Sequence, residues 1–184
     1  MTLSQPNSPD WVQSYGYDVG TERLTSIGSP SGSFGYGYKS DHPALVEKLS
    51  LPSGNWITND YDTAARLTRT HLTGPTGVLT NKHEYTYNNG NQRIAQTRGD
   101  AISANDSAVS YAYDGMGELL TASGTESSGS VIRTNEQFSY SYDTSGNLSS
   151  KTAGVSASPN KWVQTFSVNE IGRASCRERV SLVV

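Results

Sequence analysis

Aromatic and small residues alternate with a period of two through much of this chain. In Phe34-Gly35-Tyr36-Gly37-Tyr38 and Phe138-Ser139-Tyr140-Ser141-Tyr142 one small residue separates each ring from the next, which places every ring on one face of a β-strand. Such pairs recur at Tyr15/Tyr17, Tyr36/Tyr38, Tyr85/Tyr87, Tyr111/Tyr113 and Tyr140/Tyr142, with degenerate copies at Asn59/Tyr61 and Phe166/Val168. Their second members are separated by 21, 23, 26, 26, 29 and 26 residues, an internal repeat of loose period. Hairpins joined by loops of variable length produce that looseness.

The residue after each pair is Asp18, Lys39, Asp62, Asn88, Asp114, Asp143 or Asn169. In the cleanest copies a glycine, Gly117 or Gly146, comes three residues after the acid; Asp and Gly are favoured at the first and fourth positions of a type I turn. The chain then resumes a strand-like pattern from Arg23, Arg66, Arg93, Glu118-Leu119 and Asn147-Leu148. Trp11-Val12-Gln13-Ser14-Tyr15 is echoed by Trp162-Val163-Gln164-Thr165-Phe166 and more weakly by Trp56-Ile57-Thr58-Asn59, marking one strand in three repeats. The pattern predicts an all-β chain of tandem antiparallel hairpins. One hairpin alone is marginal in water, so each must be supported by its neighbours.

Gly- and Ser-rich segments at 28–32, 73–77, 99–107, 124–130 and 154–160 are expected to be the far-end loops. Residues 44–49 place Leu45, Lys48 and Leu49 at helix-like spacing, yet Pro52 and the flanking Gly and Ser favour strand or loop there over a helical turn.

Composition narrows the function. A net charge of -3 and pI near 5.6 give no electrostatic reason to expect nucleic acid. Hydrophobic residues are 34% of a chain with 18 Gly and 11 Tyr, which suits aromatics and turns rather than Leu-rich helices. No apolar run approaches the ~20 residues of a membrane helix, and Met1 to Asp10 lacks the basic and apolar regions of a signal peptide; no membrane insertion by this segment is expected. Cys176, the single cysteine, cannot form an intramolecular disulfide.

Candidate chemistry is sparse. His42, His71 and His83 lack metal-ligand spacing, and no nucleophile elbow, P-loop or dinucleotide-binding glycine pattern is present. Asp18, Asp62, Asp114 and Asp143 fit turn caps better than catalytic carboxylate pairs. The tyrosine stripe fits sheet cover better than a platform for sugar rings, and the arginines fit solvated or ladder positions. No catalytic, cofactor-binding or metal site is expected.

Tyr111 to Leu119 and Tyr140 to Leu148 carry the pattern Tyr-x-Tyr-Asp-x-x-Gly-x-Leu. This resembles the YD repeat of the Rhs family, of teneurins and of the shell-forming components of Tc toxin complexes, over roughly residues 15–173. The resemblance implies a spiral of long hairpins winding into a hollow shell that encloses a C-terminal effector in toxins and supports adhesion in teneurins. On this reading residues 1–173 are an array of about seven copies. They would belong to a large secreted or cell-surface protein, non-enzymatic, with neighbouring repeats and an enclosed effector as partners. The alternative is an extracellular adhesion or carbohydrate-binding module using exposed tyrosines to contact glycans. The copies at Tyr36/Tyr38 and Asn59/Tyr61 are eroded, and no Asp-Pro-x-Gly-Leu sequence of the kind that closes a bacterial Rhs core is present; the closing end and the effector are expected elsewhere. Residues 170–180 resemble a translated sequencing adapter, so 174–184 are set apart from the array as a foreign tail.

Overall fold

The computed structural model describes residues 2–3, 11–99, 106–126, 131–154, 162–168 and 174–177. The described secondary structure is β throughout: β1 (Thr2–Leu3), β2 (Trp11–Val12), β3 (Ser14–Tyr17), β4 (Leu24–Ser29), β5 (Gly32–Tyr38), β6 (Val46–Ser50), β7 (Trp56–Tyr61), β8 (Leu67–Thr73), β9 (Leu79–Tyr87), β10 (Arg93–Gly99), β11 (Ser107–Tyr113), β12 (Leu119–Glu126), β13 (Val131–Tyr142), β14 (Leu148–Ala153), β15 (Trp162–Val168) and β16 (Ala174–Arg177). β1 pairs with β2, while β3 to β16 are hydrogen-bonded in chain order. This is the consecutive-hairpin architecture that period-two alternation predicts. Among the described residues no helix is long and apolar enough to cross a membrane.

The chain divides into two compact units, residues 1–84 with 99–102 and residues 85–98 with 103–184. In the first, register sets Tyr15 opposite Ile27 and Ile27 opposite Phe34. A second row runs Tyr36, Leu49, Ile57, Leu72. Such ring-to-aliphatic neighbours are worth roughly 0.2–1 kcal/mol per pair.

In the second unit the corresponding row is Tyr111, Ala122, Phe138, Ala153, Trp162. Ala122 and Ala153 are the buried apolar residues among those described, and no large side chain is fully buried. The register explains both facts, because each alanine lies between two rings whose bulk keeps water from its methyl group. The rings are covered by same-face neighbours and remain half-buried.

Residues 46–50 are strand β6, one of the two states favoured there over a helical turn, with Val46 and Leu49 in the row facing Tyr38 and Tyr36. Two loop expectations change. Gly124 lies inside β12 rather than in a loop; residues 127–130 are outside the described residues, as are 100–105 and 155–160 of the other loops. A turn at Leu51–Asn55 with the same bonding as the repeat turns, Leu51 N–H donating to Asn55 O at 2.8 Å and Gly54 N–H to Leu51 O at 3.0 Å, has Pro52 second and Gly54 at φ +80°, and carries no acid to announce it. Ala174–Arg177 pairs with β15, through backbone groups whose bonding is indifferent to side-chain identity.

Candidate functional site

The repeat motif recurs in nearly the same geometry in four copies, whereas the turn after Tyr38 is longer, with Lys39 N–H donating to Leu45 O at 3.0 Å. Asp62, Asn88, Asp114 and Asp143 each donate their backbone N–H to the carbonyl four residues on, at 2.9 to 3.0 Å, and accept at their own carbonyl from the N–H three residues on. The Oδ1 of each accepts two further backbone N–H groups: Ala64 and Arg66 for Asp62, Gly90 and Gln92 for Asn88, Met116 and Glu118 for Asp114, Ser145 and Asn147 for Asp143, all between 2.8 and 3.0 Å. Asp18 caps a turn one residue longer, accepting from the N–H groups of Gly20 and Thr21 and from the Thr21 hydroxyl. A single side-chain oxygen thereby satisfies the donors that the turn leaves without partners.

The fourth position of each of these four turns is left-handed: Ala65, Asn91, Gly117 and Gly146 have φ of 60°, 61°, 91° and 79°. In the longer first turn Glu22 has φ 54°. Glycine enters this region freely and Asn at small cost, whereas a residue such as Ala pays ~1–2 kcal/mol. Beyond the turn, two residues of the returning strand face one of the outgoing strand. Thr25, Glu47, Thr68, Leu120 and Ser149 are the extra residues of bulges beside Tyr17, Tyr38, Tyr61, Tyr113 and Tyr142, and a bulge at a fixed site re-aims the neighbouring side chain.

That side chain is the second tyrosine. Its hydroxyl donates to the first carbonyl of the strand returning from the previous turn: Tyr38 to Leu24 at 2.8 Å, Tyr61 to Val46 at 2.9 Å, Tyr113 to Arg93 at 2.7 Å and Tyr142 to Leu119 at 3.0 Å. Each bond latches one hairpin to the one before it. In the eroded third copy Asn59 replaces the first ring, and its Nδ2 donates to the same Val46 carbonyl at 3.1 Å. Adjacent turns also touch, through Gln92 Nε2 donating to Gly117 O at 3.1 Å. Tyr15 and Tyr17, in the first described copy, are 47% and 60% exposed, with Trp11 45% exposed nearby; the later ring pairs are half-buried.

The arginines divide into two positions. Arg23 and Arg66 precede the returning strand, whereas Arg93 begins it, in the place of Leu119 and Leu148. Arg93 and Arg23 lie over the rings of Tyr85 and Tyr38, at 4.0 and 4.9 Å from the centroids, within cation–π range. Arg66 Nε meets Asp62 Oδ2 at 2.6 Å.

Electrostatics mirror the hydrogen bonds. The Thr21 hydroxyl and amide hold Asp18 below the usual carboxylate range; the Arg66 amide does so for Asp62, the Glu118 amide for Asp114, and the Asn147 side chain and amide for Asp143. Glu118 is pushed up by desolvation and by the Asp114 carboxylate beside it. Burial raises the Tyr113 and Tyr140 phenols.

No group of His, Cys, Asp and Glu suited to hold a metal ion occurs among the described residues. His42 pairs with Asp41 at 3.2 Å, and His71 lies 4.0 Å from Glu84. An ion cluster joining Arg98, Glu126, Arg133 and Glu136 escapes pattern reading; the isolated Gly124 inside a strand pattern is the one local signal for it.

No family model matches the chain, and no curated protein does. Among solved structures it is similar to the Photorhabdus luminescens Tc holotoxin pore with a TccC3 mutation, at 10% identity and TM-score 0.37, covering 90% of this chain and 13% of that one. It is similar to TcdB2-TccC3-TEV at 11% identity and TM-score 0.26, again over 90% and 13%. A protein of unknown function from Bacteroides fragilis NCTC 9343 aligns at 11% identity and TM-score 0.12, over 94% and 93%. The chain spans 13% of the length of the two toxin chains.

Proposed function

We propose that this chain is a non-enzymatic wall segment of a large secreted or cell-surface YD-repeat protein, whose hairpins form part of a shell enclosing or displaying a C-terminal effector. The observation that carries the reading is the tyrosine latch, a hydroxyl bonded in the same phase to the preceding hairpin in four copies. The turn carboxylates each accept from turn amides, and the second-ring phenols of four copies donate to strand carbonyls. Groups so engaged build a surface by repetition and are not poised for a substrate. Neighbouring repeats are the partners this geometry serves.

The test is made on the full-length product of the source locus, read with long reads across the codons for residues 169–184. Under native conditions the region C-terminal to the array should resist trypsin, and become cleavable once the array is unfolded in denaturant. Immediate digestion of that region in the native protein would overturn enclosure.

A further inference from the structure

In the ring row of the second unit, Tyr111, Ala122, Phe138, Ala153, Trp162, each alanine leaves a slot between the rings of the two flanking strands. A cation stands at each slot, and the two differ in what neutralises it. At Ala122 the cation is Arg98, which lines the cavity there together with Glu136. β12 and β13 pair at Ser123↔Gln137 and again at Thr125↔Ile132, so residues 133–136 bulge opposite Gly124 alone, where a Cβ would lie 2.6 Å from the Glu136 Cβ. The bulge brings Glu136 to Arg98 of β10, Nη2 to Oε2 at 2.6 Å, and to Arg133, Nη2 to Oε1 at 2.8 Å. The Arg98–Glu136 pair arches over β11 and β12, and its carboxylate cancels the charge of the slot.

At Ala153 the cation is Lys151, two residues earlier in β14 and so on the same face. Its Nζ stands 5.0 Å from the Phe138 ring centroid and 5.5 Å from that of Trp162, on the strands either side of its own, with Tyr140 at 6.0 Å. Lys151 forms no ion pair among the described residues; rings alone face its charge. The same Phe138 and Trp162, with Thr134, Asn135, Ala153 and Gly154, line a cavity of 310 Å³. Its lining includes no acid, so nothing there repels a negative guest.

We propose that this cavity binds a small aromatic carboxylate, an activity separate from the wall-building role. The body of the guest packs against the Phe138 and Trp162 rings over Ala153, where an aromatic group gains stacking that an aliphatic chain does not. Its carboxylate reaches the Lys151 ammonium at the edge of the same two rings. A charge-assisted hydrogen bond there is stronger than the ring contacts that the flexible lysine gives up to make it. A cationic guest is repelled by Lys151, and an uncharged one gains the rings but leaves the ammonium without a counter-charge. The cavity volume is at the small end of the range for ligand sites, which limits the guest to one or two fused rings.

NMR titration of the 184-residue chain with phenylacetate and indole-3-acetate, each compared with its uncharged amide, tests the assignment. At least one of the acids should shift the backbone amides of Phe138, Lys151 and Ala153 and the Trp162 indole N–H. It should bind about tenfold or more tightly than its own amide. Lys151→Met should remove that preference while the amide binds as before, and Ala153→Leu, which fills the cavity floor, should weaken both. The proposal fails if neither acid binds, if acid and amide bind alike, if the shifted resonances lie away from β13 to β15, or if folded Lys151→Met keeps the preference. The acid-to-amide comparison on the unaltered chain decides the matter even where a variant does not fold.

Discussion

The acid after each tyrosine pair is a cap whose oxygen is shared between two turn amides, and protonation weakens it as an acceptor. Asp18, Asp62, Asp114 and Asp143 lie below the ordinary value of 3.8 when folded. Their contribution is complete above that value and is lost as pH falls through the lowered ones. Glu118 acts oppositely: raised above 4.5 in the folded chain, it detracts from stability as pH rises through its folded value. Four caps against one opposing group make the midpoint of urea unfolding fall below about pH 4. Asn88 makes the same two amide bonds without a titrating group, so changing all four acids to Asn should flatten that acid limb while leaving the chain folded at pH 7. A limb unchanged in the quadruple variant would remove the caps as its cause. Backbone handedness offers a second check. Ala65→Gly at φ 60° should raise stability by up to ~1 kcal/mol, and Gly146→Ala at φ 79° should lower it by ~1–2 kcal/mol, as read from denaturant midpoints. These turn positions were legible in the sequence where Asp and Gly occupy both ends, as at 114–117 and 143–146. At Ala65 and Glu22 the same conformation hides behind residues that rarely adopt it.

At the scale of the strand, alternation identified the outgoing elements, since a ring every second residue is recorded in the sequence itself. Returning strands carried weaker marks, and for a physical reason: β4, β6, β8, β12 and β14 begin with a bulge, which displaces their side chains out of the period that pattern reading relies on. Arg93 resembles Arg23 and Arg66 by type but is the first residue of its strand, as Leu119 and Leu148 are of theirs. The tyrosine latch was equally hidden, because its acceptor is a backbone carbonyl in the previous hairpin and any residue supplies one. Removing a latch hydroxyl while keeping the ring, as in Tyr113→Phe or Tyr142→Phe, should cost ~0.5–1.5 kcal/mol. A double-mutant cycle between the two should show coupling, since Leu119, whose carbonyl accepts from Tyr142, is the cross-strand partner of Tyr113. Gly124→Ala, by contrast, forces the 133–136 bulge to move away from the new methyl. A loss of ~1–3 kcal/mol is expected in the same denaturant assay, with disruption of the Arg98–Glu136 pair visible as altered shifts of its side-chain resonances.

Across the whole molecule, stability is assembled from neighbour to neighbour. The scarcity of buried side chains, the pairing of strands in chain order and the latches together describe a chain in which each hairpin depends on the adjacent ones, as in other repeat arrays. All-β tandem hairpins were readable from the repeat alone, because seven weak signals at related spacing reinforce one another. The arch of Arg98 and Glu136 was not, since it joins strands distant in sequence through a bulge whose one local sign is Gly124. The most direct test of neighbour-by-neighbour construction is native-state hydrogen exchange of the chain and of its Tyr142→Phe variant. Local dependence predicts that amides of β11 to β14 lose protection while those of β4 to β7 keep theirs. A uniform loss across both groups would show a single cooperative core and contradict the account.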